Sequence, residues 1–295
     1  MKRHKILALV SIITLSITAK AQLDPLSSQY FNNRYQLNPA FAGIEHVTNL
    51  NFGYRSLWNS IPGAPITQAV TVDHGFNKVG VGLNFVNDKT GLQRQTKVTG
   101  SFAYHLPLNE VSNLHFGVSL GVANQNLNTS DIIGNPNDPQ SRMYNERESY
   151  LDGDFGVAYT NQRLTINAAL PNLNKLFRGN NTRYADVARF FSSVSYKIPL
   201  NANANGEIVE PLVAYRAISG YDSIWDAGAQ LAVVNQQILL SAMYHSSKNA
   251  TFGFGMDYKK KYLISGLYTS NTSQLSSYTN GSFELYLRVK IGSPK

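Results

Sequence analysis

Apolar side chains recur at every second position along most of this chain. Leu50, Phe52 and Tyr54 alternate with Asn49, Asn51 and Gly53, and Val79, Val81, Leu83 and Phe85 alternate with Gly80, Gly82 and Asn84. Leu114, Phe116, Val118, Leu120 and Val122 alternate with His115, Gly117, Ser119, Gly121 and Ala123. A period of two predicts strands with one apolar face, because successive side chains of a strand point to opposite sides. The same signal runs through Gln68–Asp73, Val98–Leu106, Phe155–Tyr159, Leu164–Leu170, Phe190–Ile198 and Val209–Tyr215. It continues through Trp225–Val233, Ile238–Tyr244, Phe252–Tyr258, Tyr262–Tyr268 and Phe283–Val289. The pattern predicts about fourteen strands, an even number as bacterial outer-membrane barrels require.

Alternation fits a soluble sandwich with its apolar face inward or a membrane barrel with that face outward. The polar positions decide. They hold mainly Gly, Ser, Asn, Thr and Ala, with scattered charges such as Asp226, Asp257, Glu284, Arg288 and Lys290. A soluble surface carries far more Lys and Glu, so these positions read as a barrel lumen. If that lumen is wet, it should accept an added charge at Ser119 while the outward row should not.

The connections point the same way. With the first strand rising from the periplasm, the even-numbered connections are mostly brief, as at Gly75–Lys78, Thr160–Arg163, Asn235–Gln237 and Lys259–Lys261. The odd-numbered ones include the longest, Asn124–Leu151, Pro171–Ala188 and Thr269–Gly281. Short periplasmic turns and long outer loops give this parity. The expected fold is all-β, a transmembrane antiparallel up-and-down β-barrel in the bacterial outer membrane, in contact with outer-membrane lipid.

Composition narrows the partners. Only 15% of the 295 residues are charged and 43% are hydrophobic, which excludes a disordered chain. There is no Cys, hence no disulfide framework and no Cys-based zinc site. Lys2, Arg3, His4 and Lys5, the apolar run Ile6–Ile17 and the sequence Ala19-Lys20-Ala21 read as a signal peptide over residues 1–21. Its removal takes Lys2, Arg3, Lys5 and Lys20 and halves the formal charge of +8, so no nucleic-acid partner is expected. Residues 22–45 lack alternation and read as an N-terminal periplasmic or lumen-entering plug segment, with residues 46–295 as the barrel.

Candidate chemistry is sparse, and neither an enzyme nor a cofactor is expected. Gly117-Val118-Ser119-Leu120-Gly121 matches the pattern of a nucleophile elbow, but that chemistry needs a strained strand-to-helix turn and alternation passes straight through the match. His105 and His115 face the lumen on consecutive strands and should lie side by side. They are either a metal-binding or pH-sensitive pair, or two polar residues hydrogen-bonded to neighbours; with no third ligand the second reading is preferred. Asp152-Gly153-Asp154, with Asp131 or Asp138, could help bind calcium but lacks the spacing of an EF-hand, and no metal is expected. Glu284, Arg288 and Lys290 either anchor the N-terminal segment by ion pairs or line the lumen.

Several segments carry a family resemblance. Asp24-Pro25, Ser28-Gln29-Tyr30 and Leu37-Asn38-Pro39-Ala40-Phe41-Ala42-Gly43 resemble the opening signature of the PorP/SprF family, membrane proteins of the type IX secretion system and gliding motility machinery. Tyr54-Arg55, Trp58 and Ile61-Pro62-Gly63-Ala64-Pro65 resemble its first hairpin, and Gly80-Val81-Gly82, Val86-Asn87-Asp88-Lys89 and Gly91 its third strand and following loop. The match weakens through Glu210-Pro211 and Tyr215. Phe283-Glu284-Leu285 departs from the His-Glu-Ile often found there. The resemblance implies a non-enzymatic outer-membrane barrel for protein secretion that binds, and anchors or helps export, a cell-surface adhesin with a C-terminal sorting domain. It also implies contact with a periplasmic peptidoglycan-binding lipoprotein. In that reading Asn38, Pro39 and Phe41 belong to the N-terminal segment, and Tyr54, Arg55, Trp58, Ile61 and Pro62 form the partner-binding extracellular loop, unless Trp58 is only part of an aromatic girdle. The alternative function is a passive channel for small or hydrophobic solutes.

Overall fold

The structure, a computed structural model, describes residues 30–58, 63–128, 145, 149–174, 188–201, 206–218, 222–270 and 280–292. The signal-peptide reading, Ile61, Pro62, Asp131 and Asp138 fall outside these residues.

All of the predicted strands form. The first half of the sheet comprises β1 (Thr48–Leu57), β2 (Ile66–Phe76), β3 (Val79–Thr90), β4 (Gln93–Pro107), β5 (Asn113–Leu127), β6 (Tyr150–Thr160) and β7 (Leu164–Leu170). The second half comprises β8 (Ala188–Tyr196), β9 (Ile198–Pro199), β10 (Ile208–Ile218), β11 (Ile224–Val233), β12 (Ile238–His245), β13 (Asn249–Tyr258), β14 (Tyr262–Thr269) and β15 (Ser282–Ile291). Segments β8 and β9 are one stave. Ser195 lies opposite Leu212 and Ile198 opposite Val209 in a single register, and the break at Lys197 falls beside Pro211, which has no amide to donate. The result is a closed antiparallel barrel of fourteen strands. Closure is made by β1 on β15, in register from Thr48–Ile291 to Leu57–Ser282.

The outer face is apolar. Phe52, Leu83, Phe102, Val118, Leu120, Phe252, Ile264 and Leu285 are exposed, whereas Asn51, Thr99, His115, Ser119 and Thr251 on the same strands are buried. A soluble protein would invert this arrangement; a bilayer demands it. No helix among the described residues is long and apolar enough to cross a membrane.

The protein's core lies inside the barrel, around residues 30–47. This segment carries a four-residue helix, α1 (Arg34–Leu37), and a 3-10 turn over Pro39–Phe41. Tyr30 and Leu37 pack with Ala169, Phe191, Leu212, Ala214 and Met243, while Tyr35, Ala40, Phe41 and Ala42 pack with Ala103 and Ala158. The segment packs inside the lumen.

Candidate functional site

The plug is shaped by its own side chains and held by the wall. Asn33 Oδ1 accepts from Gln36 N at 3.2 Å, capping α1. Asn38, fully buried, ends the helix and starts the next turn: its Oδ1 accepts from Ala40 N at 2.9 Å, and Pro39 follows at a position where no amide partner is needed. Asn38 Nδ2 faces the carbonyls of Val157 at 3.1 Å and Ala168 at 3.0 Å. One side chain thus caps a turn and ties it to β6 and β7.

Other tethers reach most of the wall. Asn33 Nδ2 donates to Thr71 Oγ1 at 3.0 Å, Asn32 Nδ2 to Ser265 Oγ at 3.2 Å, and Tyr286 OH to Asn32 O at 2.9 Å. Tyr35 OH donates to Ser101 Oγ at 2.9 Å, and burial pushes this phenol above its ordinary pKa, keeping it a neutral donor. Arg34 pairs with Glu210, which also accepts from Ser195 Oγ at 2.7 Å. Gly43 N donates to Asp73 Oδ2 at 3.0 Å. The wall is hollowed to match. A Cβ at Gly117 would collide with the backbone of Pro39 and Ala40, and one at Gly80 with the carbonyl of Ala42.

His105 and His115 are brought together, Nδ1 to Nδ1 at 2.8 Å. His105 Nε2 lies 3.0 Å from the carbonyl of Ala42, which only accepts, so that nitrogen carries a proton. In the neutral pair His105 Nδ1 then accepts from His115 Nδ1, and His115 Nε2 accepts from Thr160 Oγ1 at 2.8 Å. A metal between the two Nδ1 atoms would need about 2 Å to each and no direct contact. The pair is a hydrogen-bonded latch on the plug's C-terminal end.

Lys97 Nζ stands 3.0 Å from carboxylate oxygens of both Asp152 and Asp154, filling the place a cation would take. Among the described residues no cluster of three His, Asp or Glu could hold an ion. Ser119 sits mid-strand on β5, buried, its Oγ donating to Asp154 Oδ2 at 2.7 Å, so the elbow motif has no turn.

Glu284 and Arg288 pair with the wall. Arg55 Nε is 3.2 Å from Glu284 Oε1, and Arg288 Nη2 is 2.7 Å from Asp257 Oδ2. Lys290 anchors the N-terminal segment through Glu45 at 2.6 Å. The expected grouping of Tyr54, Arg55 and Trp58 on one loop surface is corrected by strand geometry. Tyr54 faces outward, Arg55 is buried in the lumen, and Trp58 sits half-buried at the end of β1, its N donating to Gly281 O at 2.9 Å.

A second buried cluster escaped sequence reasoning. Asp226 on β11 receives Tyr30 OH from the plug and Arg216 Nη2 at 2.9 Å, and faces His245 Nδ1 at 2.6 Å. His245 Nε2 lies 2.8 Å from Thr251 Oγ1. The order Asp, His, hydroxyl resembles a hydrolytic triad, yet Thr251 is 1% exposed, so no substrate reaches it. The signal was available, since Asp226 and His245 lie opposite each other on adjacent hairpin strands. Below the plug, toward the short turns, a cavity of about 360 Å³ is lined by Arg34, Lys197, Gln230, Asp257, Lys260 and Lys290 among others.

A fourteen-strand wall with an apolar exterior and a tethered internal segment defines an outer-membrane β-barrel. The model of the type IX secretion system membrane protein PorP/SprF family matches residues 19–289. The chain belongs to this family, and its place is the outer membrane. Among solved structures it is similar to the outer membrane protein Omp33 of Acinetobacter baumannii, with 7% identity, a TM-score of 0.50, and coverage of 84% of this chain and 100% of that one. It is also similar to the CymD monoaromatic hydrocarbon channel, with 9% identity, a TM-score of 0.50, and coverage of 89% and 94%. At such identities the likeness concerns the fold alone. No curated protein sequence matches the chain.

Proposed function

We propose that this barrel is a non-enzymatic scaffold that binds a secreted surface adhesin with a C-terminal sorting domain, and anchors it or helps its export in the type IX secretion and gliding machinery. The observation that supports this reading most is the filled lumen. Residues 30–47 occupy the path a solute would take and are hydrogen-bonded to the wall on many sides. A rigid, closed barrel suits a stable protein partner better than flux. The client docks at the long-loop end, with Trp58 at the first hairpin mouth as an anchor, and Arg55 holds the wall from within. The short-turn end, with its vestibule, faces a periplasmic peptidoglycan-binding lipoprotein.

Purification of the native complex in mild detergent tests this. Co-purification of a surface protein with a C-terminal sorting domain, together with negligible conductance in planar bilayers, is expected. A steady conductance and no stable partner would instead favour a passive channel for small or hydrophobic solutes. Trp58→Ala should leave a heat-resistant barrel while lowering surface retention of the client.

A further inference from the structure

One stave of the wall is shorter than the rest. Among the described residues β7 has seven residues, the fewest of any stave. It is in register with β6 only from Phe155–Leu170 to Thr160–Thr165, and with β8 only from Leu164–Tyr196 to Ala169–Phe191. By contrast β4 and β5 are in register along their whole length, from Gln93–Leu127 to Pro107–Asn113. Seven residues at about 3.4 Å each, tilted by about 40°, rise about 18 Å, short of an apolar band of about 25 Å. The upper end of β7 falls inside that band, because Leu170 lies opposite Phe155 and Phe155 opposite Val118, the central outward residue of β5. There the chain leaves the sheet. Pro171 has no amide to continue the ladder, and the amides of Asn172 and Asn174 donate instead to Asp154 Oδ1 at 2.9 Å and Asp152 Oδ1 at 3.1 Å, on the inward face of β6.

The plug holds this stave from inside. The inward side chains of β7 are Thr165, Asn167 and Ala169, and each meets the plug. Asn38 Nδ2 reaches Ala168 O at 3.0 Å and Val157 O at 3.1 Å, so one group holds the backbone of both β7 and β6. Asn167 continues the line to β8, its Nδ2 donating to Ser193 Oγ at 2.6 Å. Arg34 Nη1 donates to Thr165 Oγ1 at 3.3 Å, while Nη2 lies 3.4 Å from Ser195 Oγ on β8 and pairs with Glu210 on β10. The wall leaves room for this, since a Cβ at Gly156 would collide with Asn38 Oδ1. Parting a seam inside a bilayer exposes amides and carbonyls that lipid cannot satisfy, at a cost that grows with the length of the ladder. That cost is lowest at β7, and the plug's hydrogen bonds add to it. The position of the plug and the closure of these seams are therefore coupled.

We propose that β7 is a lateral gate held shut from inside by Arg34 and Asn38, and that displacing the plug parts β7 from β6 and opens the lumen sideways into the bilayer. The gate is a property of the wall and the plug, and does not depend on which partner the barrel binds.

The test is hydrogen–deuterium exchange, read by mass spectrometry, on the full barrel in phosphatidylcholine nanodiscs. Asn38→Ser keeps an oxygen to cap the turn at Ala40 but is too short to hold both carbonyls. It should speed exchange of the β7 amides about tenfold, with β3–β5 as in wild type. A disulfide between Val157→Cys and Ala168→Cys, opposite each other in register in a chain that has no Cys of its own, should return β7 to wild-type exchange. Asn33→Ala removes a plug tether of the same kind, to Thr71 on β2, whose seams are longer, and should leave β2 unchanged. Unchanged exchange of β7 in Asn38→Ser, a rise shared equally by β3–β5, or an equal rise at β2 in Asn33→Ala would overturn the gate. If Asn38→Ser does not assemble, Arg34→Gln with Glu210→Gln, which releases Thr165, should speed β7 about threefold, and no change there would overturn the gate equally.

Discussion

Two regions of one lumen behave differently. Where the plug packs against the wall, Asn38, Ala40, His115, Ser119, Asp226 and Thr251 are sealed, and each polar group has a protein partner. Beside it, Gln230, Lys260 and Lys290 line an open vestibule. Both regions derive from the same alternation of polar with apolar residues. A polar inward row therefore does not by itself mean water; whether the row is wet depends on what else the chain places inside.

Arg55 marks the sealed region most sharply. Its side chain and that of Glu284 are 7% and 4% exposed, so removing one takes a close opposite charge from a buried ion. Arg55→Ala should destabilise the barrel by about 3–5 kcal/mol, read as a lower urea midpoint of folding in lipid. Arg55→Leu with Glu284→Leu should recover most of the loss, since an apolar pair satisfies the same space. A mild effect of the single change would show that water reaches this level.

The next contrast is between neighbours on β5. Val118→Arg places a charge in the bilayer and should cost about 2–4 kcal/mol near its midplane. A wet lumen would have accepted Arg at Ser119, but the structure corrects that expectation. Ser119 is 3% exposed beside Asp154 at 2.7 Å, so Ser119→Arg should also impair assembly, read as loss of the heat-resistant band. Tolerance at Ser119 would reopen the upper lumen.

The wall was legible because the bilayer requires it. Each predicted run from Leu50–Tyr54 to Phe283–Val289 falls on a strand, since a lipid-facing row cannot lose its period without exposing polar groups to hydrocarbon. Arg55 was misread from its place beside a loop, although it shares the inward parity of Asn49 and Asn51. The plug's lack of alternation set it apart, but its partners did not show. Tyr30 meets Asp226 and Asn38 meets Ala168 across long stretches of sequence, and only closure of the barrel creates those meetings. A local hint existed in the inward glycines: Gly80 and Gly117 leave room for a chain that a water-filled lumen would not need.

That hint supplies the smallest and most discriminating comparison, one substitution in each region. Gly117→Val would press a branched side chain onto the backbone of Pro39 and Ala40, which cannot turn aside as a side chain can. Overpacking of this kind costs about 1–3 kcal/mol, less than the wall's total stability, so relief comes by shifting the plug rather than breaking the barrel. Gln230→Arg enters the vestibule, where a long cation finds water, and should change stability by no more than about 0.5 kcal/mol. Planar-bilayer recording separates the two: Gly117→Val should conduct where wild type does not, while Gln230→Arg should stay closed. If Gly117→Val remains closed with an unchanged urea midpoint, the plug does not rest in the groove formed by β3 and β5.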